Sequence, residues 1–171
     1  HFQPVGDALI LRGGREGMYA TVANSTGKGV DNGQSYIRFD NVRVERSGSG
    51  AALVQALIFE VGDHTKIGYS PPSGLGRRYC CTRELVPATG CFPGRLIVQG
   101  SSGEGGSGSS SGTPWLSDIL LAEGEPWAYA RDLAVPIEET GLYYLWFVAC
   151  DQAADLGELE LSGQTSWKNP H

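Results

Sequence analysis

LAVPIEETGLYYLWFVAC, residues Leu133 to Cys150, is the stretch whose reading decides the fold. Its Thr140-Gly141 pair is a turn signal placed directly ahead of nine consecutive apolar or aromatic residues, Leu142 to Cys150. A run bounded by a turn and rich in aromatic and β-branched side chains predicts a central strand buried on both faces. It is too short to cross a bilayer as a helix, which takes about 20 residues.

Working outward, Ala51 to Val61 (AALVQALIFEV) is a second apolar run, interrupted only by Gln55 and Glu60. Periodicity alone does not separate strand from helix there. The flanking Ser47-Gly48-Ser49-Gly50 and Gly62-Asp63 turn signals favour a strand, which makes it the second inner strand. From Tyr36 to Glu45 apolar and polar residues alternate, with Ile37 and Phe39 in one phase and Val42 and Val44 in the other. The slip at Asp40-Asn41 predicts a bulge or a meeting of two strands. Arg38, Arg43 and Arg46 are expected on a solvated face, because Asp40 and Glu45 interleave with them.

Short strands are expected at Ala8–Leu11 and Met18–Val22, separated by a turn at Gly13-Gly14, and at Arg95–Val98. Trp115–Ala122 and Trp127–Ile137 read as two more, with Pro114, Gly124, Pro126 and Pro136 at their ends or edges. Leu159 and Leu161 alternate with Glu158 and Glu160 in a last, half-exposed strand. The tract Gly100 to Gly112 is Gly and Ser apart from Glu104. It is expected to be a flexible coil spanning roughly 20 Å, either natural low complexity or a splice replacing a longer loop.

Composition agrees with many short strands. The 171 residues, 40% hydrophobic with 25 glycines, suffice for one domain over 1–171. The predicted class is an all-β sandwich of two antiparallel sheets, stabilised by disulfides. A net charge of −6 disfavours a nucleic-acid partner, since a phosphate backbone is repelled more than attracted. No stretch reads as a signal peptide or a membrane span. The chain opens at His1 without an initiator Met, and is expected to be a processed or trimmed piece of something longer.

Four cysteines, Cys80, Cys81, Cys91 and Cys150, allow three pairings, and sequence does not choose among them. Adjacent side chains in an extended segment point to opposite sides, so one of Cys80 and Cys81 can reach Cys91 locally while the other reaches Cys150 across the sandwich. Structural zinc takes ligands in pairs two to four residues apart, a spacing that Cys80-Cys81 lacks, so disulfides are preferred over metal and over reduced thiols. Bridges imply an oxidising compartment. In such a compartment Asn24-Ser25-Thr26 is an N-glycosylation sequon, with Asn24 the acceptor.

One set of residues carries a family resemblance: Val135-Pro136, Gly141-Leu142-Tyr143, Cys150-Asp151 and the alternating strand from Gly157 to Leu161 look like the closing half of a GOLD domain. Ile67-Gly68-Tyr69, Cys80-Cys81-Thr82, Gly90-Cys91, Ser162-Gly163, Thr165 and Trp167-Lys168-Asn169-Pro170 add to it. Together they resemble the luminal domain of the GOLD-domain seven-transmembrane proteins (the lung seven-transmembrane receptor family) in its plant and algal branch. The resemblance covers roughly Tyr36 to the end. It implies a GOLD-type sandwich in the Golgi or endosomal lumen or on the extracellular side, anchored by a membrane domain beyond His171. It further implies a role in membrane trafficking, by recognising luminal protein cargo or regulating the attached membrane domain.

No enzyme is expected, and no catalytic, cofactor-binding or metal-binding residue is assigned. A Ser/His/Asp arrangement would have to rest on His64, in a polar turn beside Asp63. Glu138-Glu139 fall in a loop rather than a cleft, and Gly74-Leu75-Gly76 lacks the helix that a phosphate loop needs. The rival reading is a sandwich that binds small ligands or carbohydrate. Trp115, Trp127, Trp146 and Trp167 are its candidate stacking residues, with Trp146 expected in the core. That reading predicts paired aromatics flanked by Asp, Asn or Arg.

Overall fold

A computed structural model describes residues 2–20, 35–74, 76–99, 114–150 and 157–169. Asn24 and the Gly/Ser tract at 100–112 lie outside them. Among the described residues nine strands run in chain order: β1 (Gln3–Val5), β2 (Ala8–Met18), β3 (Tyr36–Arg46), β4 (Ala52–Glu60), β5 (Trp115–Leu121), β6 (Trp127–Tyr129), β7 (Ala134–Pro136), β8 (Gly141–Ala149) and β9 (Leu159–Lys168). Five of them form one antiparallel sheet in the order β1-β2-β8-β4-β5, here sheet A. In sheet B, β9 pairs with β3 from end to end, while β6 and β7 pair with opposite ends of β3. A strand has two edges, so β6 and β7 share the one that β9 leaves. The architecture is an all-β sandwich carrying two disulfides, as the composition and cysteines predict.

The stretch from Leu142 onward becomes β8, the middle strand of sheet A, and its continuous apolar run has a direct cause. Leu145, Phe147 and Ala149 point between the sheets, into the main core with Ile37, Phe39, Val42, Val44, Val54 and Ile58. Trp146 and Val148 point the other way, into a second cluster with Ile10, Leu57, Phe59, Ile67, Cys80 and Leu96. Strands with two covered faces lose the alternation of a half-exposed strand. β4 obeys the same rule: every residue from Ala52 to Phe59 is buried. Its one polar interruption is satisfied, since Gln55 Oε1 accepts from the Leu96 amide at 2.8 Å and Gln55 Nε2 donates to Asp118 at 3.3 Å.

The cover on that second face is the cysteine-bearing segment 61–99. A 3-10 turn at Val61–Lys66 leads into isolated bridges, Ile67 with Val98, Tyr69 with Arg78, and Cys80 with Leu96. Too few apolar residues remain here for a core of its own, so covalent and polar ties hold the segment down. Cys80 is bridged to Cys150 at the end of β8, and Cys81 to Cys91, with Cα–Cα distances of 5.3 and 5.9 Å. Asp7, in the β1–β2 turn, accepts from the amides of Tyr79 (2.7 Å) and Cys80 (3.2 Å) and from Arg78 Nε (3.1 Å). The Arg77 guanidinium donates to the carbonyls of Ile67 and Thr65. Both members of Arg77-Arg78 are thus structural.

The structure departs from the sequence reading at five points. Gly13-Gly14 is not a turn: β2 runs unbroken from Ala8 to Met18, and the register against β8 shifts between Arg12 and Gly14, which is a bulge, so that Met18 closes β2 instead of opening the expected strand at Met18–Val22, whose last two residues lie outside the described ones. Gly14 has φ +147, a conformation that favours glycine, and the ring of Trp167 lies 3.2 Å from where its Cβ would stand. Trp127–Ile137 is two short strands, because the segment between them leaves the ladder beside the β3 bulge. Arg95–Val98 makes single bridges rather than a strand. β9 continues beyond Leu161 to Lys168. Arg46, assigned to a solvated face, is only 6% exposed. It follows Val42 and Val44 in phase, and its guanidinium donates to the carbonyls of Ala122, Glu125 and Gly50, which holds two loops at the end of the sandwich.

The slip at Asp40-Asn41 is a bulge, as the phase change predicts. The β3–β9 register shifts between Asp40 and Arg43, and Asn41 has φ +51. Opposite it, Gly163 adopts φ +107, and a Cβ there would stand 2.4 Å from the Asn41 carbonyl oxygen. Only glycine lets the two backbones approach so closely.

Candidate functional site

The bulge restarts β3 in the opposite phase, which decides what the last turnless stretch of the strand shows to solvent. Val44 pairs with Ala128 of β6, and both pack toward the core. Arg43 and Glu45, and their partners Tyr129 and Trp127, therefore face outward. On the far edge of β3 the same two rows continue into β9, with Arg43 opposite Ser162 and Glu45 opposite Glu160.

Two large aromatic side chains consequently lie open on a sheet face whose β3 and β9 residues are mostly polar. Trp127 is 50% and Tyr129 58% exposed. The Arg43 guanidinium carbon stands 5.6 Å from the Trp127 ring centroid and 6.0 Å from that of Tyr129. One cation thus bridges the pair, an arrangement worth about 0.5–1 kcal/mol per contact at an exposed site. Arg43 also forms an ion pair with Glu45, while its Nε is buried and makes no hydrogen bond. Farther along the face Arg38 pairs with Asp40 at 3.0 Å, and Asp40 accepts from Ser166 Oγ at 3.3 Å. The patch offers an aromatic pair, a fixed guanidinium and a flanking carboxylate.

The remaining residues singled out from sequence fall elsewhere. Trp115 is half-buried and stacked on Phe39 at 5.6 Å. Trp146 is buried under the cysteine-bearing segment, and its indole N–H has no hydrogen-bond acceptor. Trp167 is half-buried, its indole N–H donating to Thr165 Oγ1 at 3.2 Å. Of the four tryptophans, only Trp127 belongs to the patch. Its companion Tyr129 was not singled out, although the alternation Trp127-Ala128-Tyr129 in a segment read as a strand carried the signal. His64 is exposed in the 3-10 turn, with its ring 5.8 Å from Trp146 and 6.0 Å from Phe59. Glu138 and Glu139 are exposed between β7 and β8. Among the described residues no group of three or more His, Cys, Asp or Glu side chains is placed to hold a metal ion. Compared with protein-family models, curated proteins and solved structures, the chain matches none of them.

Proposed function

We propose that this chain is a non-catalytic recognition domain of an oxidising compartment, which docks a luminal protein partner through Trp127, Tyr129 and Arg43. The observation that carries the reading is the exposed aromatic pair bridged by one guanidinium on the outer face of sheet B. Tryptophan, tyrosine and arginine are the side chains that most often dominate the energy of protein interfaces, the two aromatics because they bury much area at little entropic cost and arginine because its guanidinium stacks and donates several hydrogen bonds. The two disulfides support the compartment. The GOLD-like residues named above support a more specific proposal: the luminal domain of a Golgi or post-Golgi seven-transmembrane protein, serving membrane trafficking.

Carbohydrate binding is the second reading, favoured by the spacing of the pair. Residues two apart on a strand have backbones about 6.6 Å apart and side chains on one face, which sets the two rings side by side as a sugar-stacking platform requires. Arg43 weighs against it, since a guanidinium over both rings takes up aromatic face that a sugar would use.

The test is a pull-down from luminal extract with the disulfide-bonded chain and with Trp127→Ala/Tyr129→Ala, beside a glycan array. A protein retained by the parent chain and lost by the variant, at unchanged unfolding midpoint, is the expected result. Specific sugar binding without a protein partner would overturn it in favour of the second reading.

A further inference from the structure

The bulge in β2 does more than accommodate two glycines. Arg12 and Arg15 are three residues apart, and in a regular strand they would point to opposite faces. The extra residue between Arg12 and Gly14 brings them to the same one: Arg12 lies opposite Trp146 and Arg15 opposite Tyr144 in the β2–β8 register. Both of those aromatics belong to the face that carries the cysteine-bearing segment. Arg12 is held 5.8 Å above the Trp146 ring. Both arginines are exposed, and neither makes an ion pair with any described residue. Asp63 pairs with Lys66, and Glu60, which accepts from the Gly62 amide, lies opposite Tyr143 on the other face. Glu16 lies opposite Tyr143, on the other face.

Among the described residues the backbone beside these arginines is open as well. β1 covers the outer edge of β2 only from Ala8 to Ile10, and the Asn169 side chain takes up Gly17 O and Tyr19 N at the far end. Between them, Leu11 to Glu16 has a strand partner on one side only among the described residues. An open edge is a template for an added strand. The free edges of β5 and β9 lack such a pair of unpaired cations: Asp118 on β5 is bonded to Arg95, and Glu160 stands on β9.

We propose that an extended acidic peptide segment of a partner protein adds as a strand along Leu11–Glu16, its main chain bonding to β2 and its carboxylates to Arg12 and Arg15. The site lies on the other sheet from Trp127 and does not depend on it. The arginines also select against a second copy of this chain, since two such edges brought together would juxtapose guanidiniums. Recognition is local, because at physiological salt charges are screened over about 8 Å, so the net charge of −6 does not cancel it.

The experiment uses the intact, oxidised chain and three probes: acetyl-(Val-Glu)4-amide, acetyl-(Val-Lys)4-amide, and the Val-Glu peptide N-methylated at every residue, which blocks both of its edges. The first is expected to bind and to slow amide exchange at Leu11–Arg15, and the other two to fail. Arg12→Gln/Arg15→Gln should weaken the first by about tenfold or more, as two lost charge pairs would. Arg38→Gln, which removes an arginine from the other sheet, should not. Equal binding by the N-methylated peptide would show attraction by charge without strand addition and would overturn the proposal, a result that needs no altered protein. Unchanged affinity of the double variant, or protection at β5 or β9 instead, would overturn it equally.

Discussion

The two outer faces of this sandwich are built on opposite principles. That of sheet A is roofed by residues 61–99, which pack Ile67, Cys80 and Leu96 onto Phe59, Trp146 and Val148. That of sheet B carries no layer among the described residues, so Arg38, Arg43, Glu45, Glu160 and Ser162 meet water there. The strands record the difference: β4 and β8 are apolar on both faces, whereas β3 and β9 alternate. The roof is a thin layer with little core of its own, and it is the part that needs covalent bonds. The bare face needs none, and it can present a recognition patch without exposing the core.

The sharpest way to break this comparison is to unfasten the roof. Replacing Cys80 and Cys150 by serine should cost about 4 kcal/mol, because the bridge closes a loop of 70 residues, against about 3 for Cys81 and Cys91, which close one of 10. Chemical unfolding of the two variants measures both. The first should also shift tryptophan emission to longer wavelength as Trp146 gains solvent, and the second should not. Equal costs would mean that Cys80–Cys150 does not hold the roof.

Sheet B should fail by backbone crowding instead. Gly163→Ala drives a Cβ into the Asn41 carbonyl and strains a left-handed residue, so a loss of about 2–3 kcal/mol is expected by thermal unfolding. A neutral substitution would show that the paired bulge and glycine are not a fixed element.

A smaller effect is expected near the start of β8, on its core-facing side. Tyr143 donates to the Glu139 carbonyl at 2.7 Å, and its pKa is pushed up to about 12, first by burial and then by Glu139, Glu60 and Asp63. A raised folded-state pKa means that the native state holds the proton more tightly than the unfolded chain. This contribution is complete below pH about 10, the value for an unfolded tyrosine, and is lost as pH rises toward about 12. The stability of the parent chain should therefore fall more steeply than that of Tyr143→Phe across this window; parallel curves would refute the shift.

The smallest effect separates packing from polarity beneath the roof. Since the Trp146 indole N–H is buried without an acceptor, Trp146→Phe removes an unsatisfied donor along with part of a ring. The two terms oppose each other, and a change within about 1 kcal/mol is expected. A loss of 3 or more, on the order seen when a large core ring is truncated, would mean that ring packing beneath the roof outweighs the unsatisfied donor.

Much of this was legible in the chain. A run such as Leu142 to Cys150, placed behind a turn signal, points to a strand with two covered faces, and the phase slip at Asp40-Asn41 to a bulge or a meeting of two strands, because strand periodicity is a local property of the backbone. The adjacent pair Cys80-Cys81 had to send its side chains apart. What required coordinates were the outcomes that depend on distant partners: which cysteine met Cys150, whether Gly13-Gly14 turned or bulged, and whether Arg46 met water or the carbonyls of Ala122 and Glu125. The patch at Trp127 belongs to that second group. A strand's sequence says which side chains share a face, but only the packing of one sheet on the other says which face is left to the solvent.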